Sequence, residues 1–223
     1  IAMRQCQRIS GRQQAVAAGS KAGPGRRVKK SVAVPGCSRS FHAVCAAIVV
    51  LDRRRLPRHV DDSKALSAKA REELFEVICD RALAISFGFA SSREIDVINI
   101  RQATHLAMRR AVAGLYLSPS HILIDGNDPP PGLPCPATAL VKGDALSLSI
   151  AAASIVAKVL RDRLMTRLGA RHPHYEFEQH AGYATPRHLA ALKKHGPCPQ
   201  HRMSFSPLNQ RELDEAMIAL DGT

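Results

Sequence analysis

Apolar runs separated by mixed segments predict a sheet with helices around it. Val44–Leu51 is uniformly apolar, which is typical of a strand buried on both faces. Short strands are predicted over 31–34 and 85–90, and two further apolar runs predict strands that end at Asp125 and near Gly143. Strands that alternate with helical segments in this mixed order favour an α/β fold with a central sheet.

Helical segments are recognised by their spacing and by the residues at their ends. A helix is predicted over 67–82 with Ser67 as its N-cap, and another over 94–115 in one piece or two. The Ala-rich run 147–171 predicts one long, well-packed helix, and 186–195 predicts a short helix opened by proline.

The chain divides into one domain and two flanking segments. Residues 1–30 are rich in Gln, Arg, Gly, Ser and Ala without an apolar period, and we predict that they are disordered. The domain is expected over 31–207. A terminal helix over 211–220 is predicted within a tail at 208–223.

Charge is distributed very unevenly over the 223 residues. Nine of the 32 Lys and Arg residues lie within 1–51, whereas none of the 19 Asp and Glu residues does. A basic surface favours a polyanion such as nucleic acid, although a basic segment that does not fold also fits a solubilising tail. Charge alone therefore leaves both interpretations open.

The cysteine spacing and the length of the apolar runs indicate the cellular compartment. The six cysteines form no CxxC pair, which suggests reduced thiols in the cytoplasm, and Cys198 with His201 lacks a second pair that would complete a zinc site. No apolar run is long enough to span a bilayer. The basic N-terminus lacks the apolar core of a signal peptide.

Candidate chemistry lies at the ends of two apolar runs. Asp125 and Asp144 each follow such a run at a Gly turn, so each carboxylate is expected to surface at an edge of the sheet. Carboxylates brought together from neighbouring strands are suitable ligands for hard divalent cations. This pair is the first indication of a nuclease.

Five motifs extend the indication to a family. In chain order they are Asp61-Asp-Ser-Lys-Ala-Leu-Ser67, Ile122-Leu-Ile-Asp-Gly-Asn127, the run from Lys142 to Met165, His180-Ala-Gly-Tyr183 and His195-Gly-Pro-Cys-Pro-Gln-His-Arg-Met-Ser-Phe205. With these motifs the chain from about residue 44 to residue 207 resembles ribonuclease HII, a nuclease that nicks RNA–DNA hybrids and ribonucleotides embedded in duplex DNA.

The resemblance implies a ribonuclease H-like fold and a site in which four acidic residues hold two Mg²⁺ or Mn²⁺ ions. Two such ions would stabilise the attacking and leaving oxygens at the scissile phosphate. Asp125 and Asp144 match two of the four acids. The implied partners are RNA–DNA hybrids and DNA duplexes that contain ribonucleotides, bound by a monomer away from membranes.

The other two acids are missing. In the family they belong to the motif Asp-Glu-Ala-Gly-Arg-Gly on the first strand, and the corresponding stretch here is expected at 35–40. No acidic residue precedes Asp52, so this conclusion holds in any register. Asp61, Asp62 and Asp128 are candidates to replace the missing ligands.

The resemblance also implies three nucleic-acid contacts. Arg39 is the arginine left in the stretch that replaces Gly-Arg-Gly, Lys64 matches a phosphate-contacting position, and Tyr183 matches a tyrosine that stacks on a sugar. Ala181 stands where the family usually has a lysine. A solvated loop lysine and a half-buried core tyrosine are the structural alternatives for Lys64 and Tyr183.

Three hypotheses of function remain. The first is a ribonuclease HII-like enzyme with weak or absent activity, and the second is a pseudo-enzyme that binds nucleic acid without cleaving it. The third is a coding sequence disrupted near its start, so that 1–43 is read out of the ancestral frame. That hypothesis draws on the first residue Ile1, the abrupt start of the resemblance at Val44, and the acid-free segment before it.

Overall fold

The computed structural model describes residues 30–33, 43–58, 60, 66–205 and 208–209. The strands are β1 (Lys30–Ala33), β2 (Val44–Leu51), β3 (Ala82–Ala90), β4 (Ile122–Asp125) and β5 (Ala137–Leu140). The helices are α1 (Ala68–Arg81), α2 (Ser92–Ala113), α3 (Gly143–Leu146), α4 (Leu148–Arg171), α5 (Phe177–His180) and α6 (Pro186–His195), with a 3₁₀ turn at Pro173–Tyr175. None of the described helices is long and apolar enough to cross a bilayer.

One mixed sheet joins the five strands in the order β3-β2-β1-β4-β5. β1 is the central strand: it runs antiparallel to β2 and parallel to β4, where Val32 lies beside Ile124. β5 is also parallel to β4, and Asp125 lies beside Leu140. The parallel strands β1, β4 and β5 therefore end at the same edge of the sheet, and this edge carries Asp125.

β2 is buried on both faces, as its uniform apolar run predicts. Its odd-numbered residues, such as Ala47 and Val49, pack with Ile78 of α1 and with α4. Its even-numbered residues, such as Ile48, pack against α2 on the other face. Successive strand residues point to opposite faces, so an unbroken apolar run is what two covering layers of helices require.

The Ala-rich helix α4 lies against the sheet. Residues 151–157 are all buried, and most are small. Small side chains allow the helix backbone to approach the strands closely, and alanine is also the strongest helix former. The predicted helix over 147–171 is confirmed, with Ser147 as the residue that precedes it.

Side-chain caps explain where two other helices begin. Ser67 Oγ accepts a hydrogen bond from the N–H of Ala70 at 3.2 Å, which confirms the predicted cap of α1. α2 begins at Ser92 rather than at the predicted residue Glu94, because Ser91 and Glu94 form a capping box that the prediction did not take into account. Inside α2, Asn99 has a φ of 67° and its side chain caps the second segment, so the helix is in two pieces.

Three other boundaries differ from the prediction. β3 begins at Ala82, directly after α1, rather than at residue 85. β5 ends at Leu140 rather than near Gly143. The segment between α4 and α6, for which no helix was predicted, contains the 3₁₀ turn and α5. Most of the predicted disordered segment, the stretch at 35–40 and the terminal helix over 211–220 lie outside the described residues.

A separate apolar cluster connects the C-terminal part of the domain to α4. Its buried members are Met165, Tyr175, Phe177, Leu192, Cys198 and Leu208. Met165 belongs to the second half of α4, whereas the other residues come from the segments that follow it. The C-terminal segments are therefore built on the long helix rather than on the sheet.

Candidate active site

Asp125 is the last residue of β4, as predicted. Its side chain is half-buried, and its Oδ1 accepts a hydrogen bond from the N–H of Gly143 at 2.9 Å. A backbone amide that donates to a carboxylate favours the ionised form and restrains its orientation. Asp125 is therefore held at the edge of the sheet by the segment that carries the second acid.

The expectation that Asp144 directly follows a strand is wrong. β5 stops at Leu140, and Lys142 has a φ of 54°, which turns the chain into the short helix α3. Asp144 lies in the first turn of α3, and its Oδ1 accepts a hydrogen bond from the N–H of Ala145 at 3.0 Å. The apolar run up to residue 141 resembled a longer strand because a left-handed lysine gives no sequence signal.

Gly143 brings the two acids together. It is buried, and a Cβ atom built on it would lie 2.7 Å from Ile150 Cδ1 and 3.4 Å from Asp125 Oδ1. A side chain at this position would therefore require the tip of the buried Ile150 side chain to shift. Asp125 contacts the residue immediately before Asp144, so both predicted carboxylates belong to one site.

Two carboxylates form only a small donor set for metal. Among the described residues no group of three or more His, Cys, Asp or Glu side chains is arranged to hold an ion. Mg²⁺ is commonly held by one or two carboxylates with water and substrate phosphate, so Asp125 and Asp144 fit one such ion. They do not fit a pair of ions.

The central strand β1 supplies no acid beside Asp125. Val32 of β1 lies beside Ile124, and continuing this parallel register by one residue would place Ala33 beside Asp125. Neighbouring strands lie about 4.8 Å apart, which makes this position the natural source of a second ligand from the sheet. An alanine side chain has no donor atom for a metal.

Asp128 is already paired with basic residues of α2. Its Oδ2 lies 2.5 Å from Arg101 and 3.6 Å from His105 Nε2. The hydrogen bond from Arg101 lowers the pKa of Asp128. These contacts of Asp128 connect the loop after Asp125 to α2. The other two candidate replacements, Asp61 and Asp62, lie outside the described residues.

Tyr183 lies on the short turn between α5 and α6, and 38% of its surface is exposed. The side chain of Arg161 from α4 lies against its ring, with the guanidinium carbon 5.0 Å from the ring centroid. Arg161 also donates to the Tyr183 hydroxyl at 3.4 Å and to the carbonyl of Ala181 at 2.8 Å. The ring is therefore partly supported by protein and partly open.

The basic residues of α4 make contacts within the domain. Arg161 is only 4% exposed. Lys158 pairs with Asp162 one turn along the helix, and Arg163 pairs with Glu72 of α1 at 2.5 Å. Lys158 and Arg163 are therefore paired with carboxylates of the same domain, and Arg161 is buried within it.

A chain of buried histidines lies beneath the Tyr183 turn. His188 Nδ1 is 2.9 Å from the carbonyl of Tyr183, and His188 Nε2 is 3.1 Å from His201 Nε2. The N–H of Cys198 lies 2.9 Å from His201 Nδ1. Burial lowers the pKa of both His188 and His201 to about 4, so both rings are neutral near pH 7. The Cys198–His201 spacing thus serves a hydrogen-bond network.

The family comparison settles which class of protein has this arrangement. Residues 42–208 match the family model described as Ribonuclease HII. The chain belongs to the ribonuclease HII family. A curated ribonuclease HII from Brucella canis is 57% identical over 169 residues, which are 75% of this chain and 77% of the relative.

Solved structures confirm the predicted ribonuclease H-like fold. The ribonuclease H2 from Pyrococcus horikoshii OT3 superposes with a TM-score of 0.69 at 25% identity, over 81% of this chain and 96% of that one. Bst-RNase HIII, whose structure was solved in complex with Mn²⁺, superposes with a TM-score of 0.62 at 15% identity. That alignment covers 89% of this chain and 79% of the other, and it bears on the fold alone.

The remaining residues of the proposed site lie outside the described part of this member of the ribonuclease HII family or were not predicted. The predicted contacts Arg39 and Lys64 lie outside the described residues, so they stay predictions. Arg161, His188 and His201 support the Tyr183 turn, although the sequence pattern alone did not connect them with it. The histidine spacing around α6 was a usable signal only together with knowledge that these segments pack against each other.

Proposed function

We propose that this chain is a ribonuclease HII-like endonuclease with impaired two-metal hydrolysis. Its substrates would be the RNA strand of RNA–DNA hybrids and ribonucleotides embedded in duplex DNA. It would act in the cytoplasm. The observation that carries the proposal is the contact of Asp125 with Gly143, next to Asp144, at an edge where β1 offers Ala33. Two of the four expected carboxylates are present, and two are absent.

The loss of metal affinity can be estimated from the charges of the missing carboxylates. A unit charge about 4 Å from another contributes about 4 kcal/mol at an effective dielectric constant near 20. Solvation recovers part of that energy, but a loss of about 3 kcal/mol already weakens metal binding more than a hundredfold. Asp125 and Asp144 would still bind one Mg²⁺ or Mn²⁺ ion, which would supply a charge for a phosphate oxygen.

Nucleic-acid binding has separate support. Tyr183 is open on one side and braced by Arg161 on the other, which suits a ring that stacks on a sugar or base. Lys64 and Arg39 would add contacts to phosphate and to the ribose. This combination supports the second candidate, a catalytically inactive module that still grips hybrid or duplex nucleic acid and acts as a monomer.

The register of β1 also bears on the missing motif. Because the register of β1 and β4, continued by one residue, would place Ala33 beside Asp125, Ala33 is a better candidate for one of the two lost acid positions than Pro35 or Gly36. The family match begins at residue 42, which supports the third candidate, an N-terminal segment read out of frame. Translation of the other two upstream frames tests it: an Asp-Glu-Ala-Gly-Arg-Gly motif is expected there.

The test of hydrolysis uses a labelled DNA duplex with one ribonucleotide, with Mg²⁺ or Mn²⁺ and with Asp125→Asn as the matched control. We expect little or no nicking by folded protein. A nick on the 5′ side of the ribonucleotide that disappears in Asp125→Asn would show that other ligands complete the site. Salt-dependent binding without a nick would support the binding module.

A further inference from the structure

The backbone of the Tyr183 turn is held from below by buried side chains. Ala181 has a φ of 48° and Gly182 a φ of 75°, so two consecutive residues are left-handed. A left-handed alanine is disfavoured by contacts of its Cβ, and it persists only where surrounding groups hold it. The turn that presents Tyr183 therefore depends on its partners.

His180 closes the turn on itself. Its Nδ1 accepts from the N–H of Gly182 at 3.2 Å, so its Nε2 carries the proton and donates to the carbonyl of Tyr175 at 2.7 Å. The ring of His180 is stacked on that of His188 with centroids 4.5 Å apart. The first buried histidine thus fixes the start of the turn.

His188 and His201 have only one consistent arrangement of protons. A carbonyl can only accept, so His188 Nδ1 donates to Tyr183, and His188 Nε2 must then accept from His201 Nε2. His201 Nδ1 is left as an acceptor, and it receives the N–H of Cys198. Every proton in this network points towards the carbonyl of Tyr183, and neither ring can take another proton without losing a hydrogen bond.

Arg161 supports the turn from the side of α4. Its guanidinium contacts the ring and hydroxyl of Tyr183 and the carbonyl of Ala181. None of the ion pairs among the described residues includes Arg161, although the side chain is buried. A buried cation is costly unless hydrogen bonds or an aromatic face compensate it, and the Tyr183 turn supplies both.

We propose that His201, acting through His188, and Arg161 are positioning residues that set the backbone and ring of Tyr183 for contact with nucleic acid. This inference rests on the proposed function, because Tyr183 must itself contact the duplex. None of the three reaches the surface enough to bind nucleic acid directly: His188 is 0% exposed, His201 2% and Arg161 4%.

A double-mutant cycle separates positioning from general stability. Affinity is measured for a short DNA duplex with one ribonucleotide, without divalent metal, so that binding is observed apart from hydrolysis. Tyr183→Ala is expected to weaken binding about tenfold, as for loss of one stacking aromatic. His201→Phe is expected to weaken it about threefold, because the hydrogen bond to His188 is lost. The double variant should bind like Tyr183→Ala alone.

Two further variants complete the cycle. His201→Gln keeps a donor towards His188 and should retain the affinity of the unmodified protein. His195→Phe, on the exposed part of α6, changes the same residue type outside the network and should have no effect. If His201→Phe does not yield folded protein, Arg161→Met takes its place in the same cycle with the same expectation.

The outcomes distinguish the inference from the proposed function. Losses that add in the double variant would overturn positioning while leaving nucleic-acid binding intact, since a structural defect costs the same with or without the tyrosine. No effect of Tyr183→Ala, or no binding of the duplex at all, would overturn the nucleic-acid contact itself and the inference with it.

Discussion

The edge of the sheet lacks some of the ligand groups that its proposed role requires, whereas the Tyr183 turn has several supporting side chains. At the edge, Asp125 and Asp144 are held in place by Gly143, but the neighbouring strand offers an alanine and no third ligand from the described residues joins them. At the turn, Tyr183 has a full set of supporting groups: His188, His201 and Arg161. The comparison teaches that the region proposed for hydrolysis and the region proposed for nucleic-acid contact are built from different segments, so the two proposals can be tested separately.

The largest effect is expected from restoring a missing carboxylate at the edge of the sheet. Ala33→Asp should raise the affinity for Mn²⁺ by about a hundredfold, because an added charge beside the ion stabilises it by several kcal/mol. Calorimetric titration measures the affinity, and a nicking assay should show gained activity. Ala33→Asn, which adds no charge, is the control. An unchanged metal affinity would count against the register that pairs Ala33 with Asp125.

A side chain at Gly143 should damage the edge without touching the turn. Gly143→Ala is expected to lower the free energy of unfolding by about 1–2 kcal/mol, because the tip of the buried Ile150 side chain must shift to make room for the new methyl group. Urea denaturation measures the change. Leu146→Ala in the same short helix is the control, since its side chain is 70% exposed and its loss should cost less than about 0.5 kcal/mol. Equal effects of the two substitutions would contradict the close packing at Gly143.

Acid should weaken the Tyr183 turn. The pKa of His201 is about 4 in the folded chain and about 6.5 when unfolded, so between these values the unfolded state binds more protons and stability falls as pH is lowered. From pH 7 to pH 5, His201 alone should account for about 1–2 kcal/mol of lost stability. His201→Gln should flatten the pH dependence in urea denaturation series. An unchanged slope would show that His201 titrates alike in both states.

The smallest expected effect concerns the contact between the C-terminal segment and helix α2. Asp96 of α2 accepts from the N–H groups of Met203 and Ser204 at 2.9 and 3.1 Å. Asp96→Asn keeps the shape but removes the charge, and it should cost about 1 kcal/mol in thermal unfolding. Glu73→Gln on the exposed face of α1 should cost almost nothing. A neutral Asp96→Asn would mean that the turn at 203–204 is held by other contacts.

The sequence predicted those features that depend on local pattern. The apolar run of β2, the Ser67 cap and the Ala-rich helix are each specified by neighbouring residues, and the structure confirms all three. Asp125 was placed correctly for the same reason, since a strand that ends at Asp-Gly has a recognisable pattern.

The features that were missed depend on contacts between distant segments or on single backbone angles. Asp144 was assigned to a strand end because the left-handed Lys142 that starts α3 has no signature in the residue types. The support of Tyr183 by Arg161 joins positions 22 residues apart. The pairing of His188 with His201 requires the fold of the whole C-terminal cluster. Periodicity along the chain contains no information on contacts between residues that are distant in sequence.

The central place of β1 has a consequence for how the sheet opens. Its four residues join an antiparallel pair, β2 and β3, to a parallel pair, β4 and β5. If β1 detaches, the sheet divides into two halves, and the inner edges of β2 and β4 become exposed together. Amides on those facing edges should then exchange with solvent through one shared opening, with one common free energy below that of global unfolding. Detachment of this one four-residue strand would thus control the opening of the whole sheet.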